Sequence, residues 1–187
     1  MEAYGEWARR YEDDLGGDYG YVAPALMARM LLGTGLAATE EILDAGCGTG
    51  LVGRELANAG CQRIDGLDYS EAMLAEARKK GVYRSLLQAD LNATLPLPDG
   101  SYGAVICVGT FTTGHVGPAA LDELVRVARS GAPICFTVRQ DFWVASSFAD
   151  QVEALTAAGR WRPVRVEDVD YIQHEQAQCI GALFEVA

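Results

Sequence analysis

From Glu41 onward, short apolar and β-branched runs alternate with amphipathic stretches of helix length. That alternation predicts βαβ units whose strands join one parallel sheet. The first strand is Ile42–Ala45, and after a glycine turn comes a helix with Val52, Leu56 and Ala59 on one face, closed by Gly60. A second strand spans Ile64–Leu67. Ser70 is placed to cap a helix carrying Met73, Leu74 and Ala77, which ends at Arg78-Lys79-Lys80-Gly81, where cations suit the helix dipole and glycine the left-handed cap. A third strand is expected at Ser85–Ala89. The run Leu95-Pro96-Leu97-Pro98-Asp99-Gly100 is a loop, and Tyr102–Val108 is apolar enough for a central strand covered on both faces.

Pro118 suits the first turn of a further helix, whose stripe is Leu121, Leu124, Val125 and Ala128. A fifth strand at Ala132–Val138 follows, then a helix with Phe148, Val152 and Leu155 ending near Gly159. Val164–Ile172 and Cys179–Val186 read as two strands with no helix between them. Parallel neighbours need a crossover of about a dozen residues, so this last pair must be antiparallel. The predicted fold is α/β: a Rossmann-like three-layer sandwich around a mostly parallel seven-stranded sheet ending in an antiparallel hairpin. Residues 1–40 concentrate Tyr4, Trp7, Tyr11, Tyr19 and Tyr21 ahead of the sheet and are read as a helical lid on the same domain, 41–187; the alternative is a helix that only packs on the sheet.

Charge narrows the partners. Fifteen basic against twenty-six acidic residues give a net charge of −11, which opposes nucleic acid, although Arg160, Arg162 and Arg165 lie close in sequence. Five cysteines, at 47, 61, 107, 135 and 179, lack paired metal or redox spacing, so no metal is expected and a reducing cytoplasm fits. No secretory signal and no membrane span are readable, and the chain is expected to be a monomer or weak homodimer.

The chemistry concentrates at Asp44-Ala45-Gly46-Cys47-Gly48-Thr49-Gly50, where a strand ends in a glycine-rich turn and opens a helix. Such a turn lets a ligand approach the backbone and aims free amides at its polar groups. Asp68, about twenty residues on at the end of the second strand, is placed to accept ribose hydroxyls. Gly48, Gly50 and Gly53 also satisfy the dinucleotide fingerprint, so an NAD-dependent oxidoreductase is a competing reading. Asp44 weighs against it, because a carboxylate at the strand end repels a pyrophosphate and suits an ammonium or sulfonium.

The segment Ile42–Gly50 resembles the first motif of class I S-adenosylmethionine-dependent methyltransferases, and the later matches fall in that family's order. Gly66-Leu67-Asp68-Tyr69-Ser70, Lys80-Gly81-Val82-Tyr83 and Gly114-His115-Val116 are similar to the Williams-Beuren syndrome chromosome region methyltransferase-like group. Many relatives carry a second glycine where this chain has Gly131-Ala132-Pro133. The resemblance implies a cofactor site formed by Asp44, Gly46, Cys47, Gly48, Gly50, Asp68 and Tyr69. It puts Met73 and Leu91 beside adenine, Asp90 at its exocyclic amine, and Val108 and Gly109 toward the methionine part.

It also implies methyl transfer to a small molecule, which needs positioning more than an acidic catalyst. A catalytically silent cofactor-binding module acting through a protein partner is a third reading. His115, in the loop after the fourth strand, is the candidate base, because imidazole titrates near neutrality and ligands of such sheets bind at that edge. Thr110–His115 is expected to shape the acceptor pocket. Tyr4, Trp7 and Tyr11 could close over a sulfonium, and His174 falls near the hairpin turn at the surface.

Overall fold

The computed structural model describes residues 20–112, 114–145, 147–172 and 177–187. Tyr4, Trp7, Tyr11, Tyr19 and His174 lie outside them. Seven strands form one sheet: β1 (Glu41–Ala45), β2 (Arg63–Asp68), β3 (Ser85–Gln88), β4 (Ala104–Phe111), β5 (Pro133–Arg139), β6 (Trp161–Ile172) and β7 (Ala177–Val186). Their order is β3-β2-β1-β4-β5-β7-β6. The first five pair in parallel, while β7 runs antiparallel to both β5 and β6. Arg162 and Arg165 on the edge strand β6 pair with Glu185 and Glu167, both at 2.8 Å.

Six helices are described: α1 (Ala23–Leu32), α2 (Leu51–Asn58), α3 (Glu71–Lys79), α4 (Ala120–Val127), α5 (Gln140–Ala145) and α6 (Phe148–Ala157). Pro24 sits in the first turn of α1, where its missing N–H costs nothing. Ser70 caps α3 by accepting from the Met73 amide at 3.4 Å.

Alternation along the strands divides the core between two layers of helix. Ile42, Ile64, Ala104 and Ile106 pack with Met27 and Leu31 of α1 and with Val52 and Leu56 of α2. Leu43, Ala45, Val105 and Phe136 face the other way, toward Leu121 and Leu124 of α4 and Phe148 of α6. Trp161 and Phe184 stack there with ring centroids 4.2 Å apart. The described part of residues 1–40 thus contributes a helix buried against the sheet.

Boundaries moved where tertiary packing outweighs local pattern. The fourth strand runs to Phe111 rather than ending at Val108, with an irregular register after Cys107 and a positive φ of 75° at Gly109. Phe111 is drawn in by edge-to-face contacts with Phe136 and Phe148 at 5.9 and 4.9 Å. Tyr102 lies outside that strand, in an isolated bridge to Ala128. The short helix α5 was not readable, because its apolar residues Phe142, Trp143 and Val144 are consecutive rather than periodic. The strand β6 starts at Trp161 instead of Val164.

Strand order reverses between β1 and β4, and such a switch point opens a crevice at the carboxyl ends of the strands.

Candidate functional site

A cavity of about 470 Å³ lies at this crevice. The end of β1 contributes Gly46, Cys47, Gly48 and Thr49; the end of β2 adds Asp68, Tyr69 and Ser70, and α3 adds Met73. Ala89, Asp90, Leu91 and Asn92 follow β3, while Val108, Gly109 and Thr110 close β4. Tyr21 and Pro24 come from the start of α1, and Gly114, His115 and Val116 from the loop after β4.

The glycine turn is fixed from two sides. The amides of Gly46 and Cys47 donate to the Leu67 carbonyl at 2.8 and 2.9 Å, tying the turn to β2. Gly46 and Gly48 have φ of 76° and 54°, a region costly for side chains with a Cβ. A Cβ at Gly46 would also collide with the Thr110 hydroxyl, so the turn and the end of β4 are in direct contact.

Asp68 is the joint between the turn and β2. Its Oδ2 accepts from the Gly48 amide and its Oδ1 from the Ser70 amide, each at 2.8 Å. Each carboxylate oxygen has a second lone pair, so two ligand hydroxyls can still be bound. Burial raises the pKa of Asp68 above the usual carboxylate range, and the Ser70, Gly48 and Tyr69 amides oppose that rise. Met73 and Leu91 supply buried apolar walls. Asp90 uses Oδ1 to accept from the Asn92 amide at 2.8 Å, which sets the turn after β3.

Two residues expected at the site stand behind it. Asp44 is fully buried and does not line the cavity: its Oδ2 accepts from the Tyr83 hydroxyl at 2.6 Å. Burial pushes its pKa up to about 7, the Tyr83 hydrogen bond opposes this, and the Asp68 charge adds to it. Gly50 also does not line the cavity but occupies the left-handed position before α2, against Tyr83. Asp44, one residue before the end of β1, faces Tyr83 beneath the turn, and Gly50 packs against the same ring. Cys47 lines the cavity, its thiol lies against Gly66 of β2, and burial raises the thiol pKa, which keeps it protonated.

Asn92 had no sequence signal beyond its loop. Its amide nitrogen donates to the His115 carbonyl at 3.2 Å and its oxygen accepts from the Gly117 amide at 3.0 Å, which holds the His115 loop beside the turn after β3. His115 itself is exposed at the cavity rim. Tyr21, grouped by sequence with the lid aromatics, packs edge-to-face on Tyr171 at 5.1 Å, and a Cβ at Gly109 would come within 2.5 Å of its hydroxyl.

A methyltransferase domain model matches residues 42–131. Human methyltransferase-like protein 27 is 35% identical over 180 residues, covering 91% of this chain and 71% of that protein. The chain belongs to the class I S-adenosylmethionine-dependent methyltransferases. Within that family it is also 38% identical over 100 residues to malonyl-[acyl-carrier protein] O-methyltransferase of Serratia marcescens; that match covers 52% of this chain and only 38% of that enzyme. Magnesium protoporphyrin IX methyltransferase from Synechocystis PCC 6803, solved with the cofactor bound, shares the fold at a TM-score of 0.68 and 19% identity, covering 88% of this chain and 78% of that one. This methyltransferase therefore uses S-adenosylmethionine, and the nicotinamide reading of Gly48, Gly50 and Gly53 is set aside. Gly53 has a packing reason instead, because a Cβ there would strike the Tyr83 ring.

The residues present fit that cofactor. The cavity pairs the Asp68 carboxylate, whose oxygens keep free lone pairs, with apolar walls, and Thr49 Oγ1 on the lining is buried without a hydrogen-bond partner among the described residues. Its volume falls in the usual range for small ligands, roughly 300–1,000 Å³. Among the described residues, no helix is long and apolar enough to cross a membrane, and no group of three metal-ligating side chains occurs.

Proposed function

We propose that this chain transfers the methyl group of S-adenosylmethionine to a small-molecule acceptor that enters beside Tyr21, Thr110 and His115. One observation carries the proposal: a single cavity joins the glycine turn and Asp68 to the end of β4 and the His115 loop. When bound, S-adenosylmethionine supplies a methyl group on a sulfonium. Asp68 takes the ribose hydroxyls, Met73 and Leu91 flank the adenine, and Asp90 and Tyr69 border it. Gly46, Cys47, Gly48 and the backbone at Val108 face the methionine part. Tyr4 and Tyr11 are assigned by the same proposal to the cover over the sulfonium.

The chain's own task is placement. A fixed acceptor in line with the reacting methyl removes several kcal/mol of the barrier without acid catalysis. His115 takes the proton when the acceptor is a hydroxyl or an amine, and an acceptor that is already anionic needs no base. The acidic charge of −11 supports a small molecule over nucleic acid. So does a relative named for demethylmenaquinone methylation.

Titration calorimetry with S-adenosylhomocysteine, followed by labelled methyl transfer into a small-metabolite extract, tests the reading. Binding on the order of micromolar and label in the small-molecule fraction are expected. Absence of binding, or label found only in protein or nucleic acid, overturns it.

A further inference from the structure

Tyr83 stands in the coil before β3 and reaches under the glycine turn. Its ring fills a hollow made by three glycines on different elements. A Cβ at Gly50, before α2, would come within 2.9 Å of the ring, and one at Gly66, in β2, within 3.0 Å. A Cβ at Gly53, inside α2, would strike the ring and its hydroxyl. One aromatic residue thus sets the distance between the turn, the helix that follows it and the strand that carries Asp68.

The hydroxyl ends on Asp44 Oδ2 at 2.6 Å, while Asp44 Oδ1 is buried with no hydrogen-bond partner among the described residues. A buried carboxylate with one oxygen unsatisfied is costly, and it is neutralised unless a donor holds its charge. Tyr83 is the side-chain donor that does so, with a smaller contribution from the Gly53 backbone amide. The other titratable group acting on Asp44 is Asp68 at the end of β2; the Asp44 charge in turn helps to keep the Cys47 thiol in the turn and the Cys107 thiol in β4 protonated, and Lys80 lays its aliphatic stem against Gly50. Burial and the Asp68 charge oppose ionisation, and the Tyr83 hydroxyl is the strongest group favouring it.

We propose that Tyr83 is a positioning residue that acts on the cofactor through Asp44, holding the carboxylate beneath the glycine turn so that its charge tilts the site toward the cationic cofactor and away from the neutral product. This rests on the assignment of the cavity to S-adenosylmethionine. The two ligands differ by the sulfonium charge and one methyl group, so the ratio of their affinities reports the charge under the turn. Burial places the Asp44 transition at about 7, inside an accessible range.

The test is calorimetry of S-adenosylmethionine and S-adenosylhomocysteine with wild type, Tyr83→Phe and Asp44→Asn, between about pH 6 and about pH 7.5. In wild type the affinity ratio should move toward S-adenosylmethionine by about 3- to 10-fold as pH rises. Asp44→Asn should flatten that change, and ligand ionisation common to both proteins cancels in the comparison. Tyr83→Phe keeps the ring in its hollow but should shift the change to higher pH. A purely structural Tyr83 lowers the melting temperature and leaves the ratio alone. A wild-type ratio no more pH-dependent than that of Asp44→Asn, or an unshifted profile in Tyr83→Phe, overturns the inference. If neither ligand binds wild type at any pH, the cofactor assignment itself has failed, a distinct result.

Discussion

The Gly48 amide points at Asp68 Oδ2 from 2.8 Å, so the middle glycine of the turn is held by the residue that ends the next strand. Two features twenty positions apart form one corner of the cavity, and the carboxylate proposed to take the ribose hydroxyls is oriented by the turn beside it.

Asp68→Asn should therefore weaken S-adenosylhomocysteine binding more than it destabilises the fold. The new amide group must face either the Gly48 or the Ser70 N–H, donor against donor, and it loses the charge offered to the ligand. A loss of about 10- to 100-fold in affinity is expected from one charged hydrogen-bonding group, checked by calorimetry.

Gly53→Ala should destabilise the protein by about 1–3 kcal/mol, because the added methyl meets the Tyr83 ring in a filled hollow. Thermal or denaturant unfolding measures it. Combined with Tyr83→Ala, the two losses should be clearly less than additive, since the second change removes the atoms the first one strikes.

Asp44→Asn should stabilise the protein at alkaline pH. The folded-state pKa of Asp44, about 7, stands above its unfolded value near 3.9, so between those values the folded chain binds the extra proton. Wild-type stability from this group therefore falls as pH rises through that window. The asparagine variant, which cannot ionise, should match wild type near pH 4 and gain on the order of 1–3 kcal/mol by pH 8. Melting curves across this range check the sign, and equal pH dependence would rule the effect out.

His115→Asn should leave cofactor affinity unchanged, since the contact of this residue with Asn92 is made through its backbone carbonyl. Turnover should fall by about 10²–10⁴-fold at neutral pH if the acceptor carries a proton to be removed. A pH–rate profile identical to wild type would remove His115 from the chemistry.

Deletion of residues 1–19 should weaken cofactor binding by more than it lowers the melting temperature. Aromatic faces attract a cation by about 0.5–2 kcal/mol, and the buried helix α1 with Met27 and Leu31 remains to hold the sheet. The reverse outcome would assign the segment to packing.

The sequence by itself determined the strand count, the hairpin and the place of the glycine turn. These follow from local rules: alternation fixes strands, Ser70 and Gly81 fix the ends of a helix, and a gap too short for a crossover forces antiparallel pairing. It also located Asp68, because the spacing from a strand-ending turn to the end of the next strand varies little in a βαβ unit.

Only the tertiary structure decided which side chains face the cavity. Asp44 turned inward because the turn folds back onto β2, and Gly50 and Gly53 became a seat for Tyr83, thirty or more positions away. Asn92 joined the site by bridging to the His115 loop, and Tyr21 by crossing to Gly109 and Tyr171. Such contacts join residues far apart in the chain, and no periodicity records them. The glycine turn was legible as a motif; what supports it from beneath was visible only once the strands were in register.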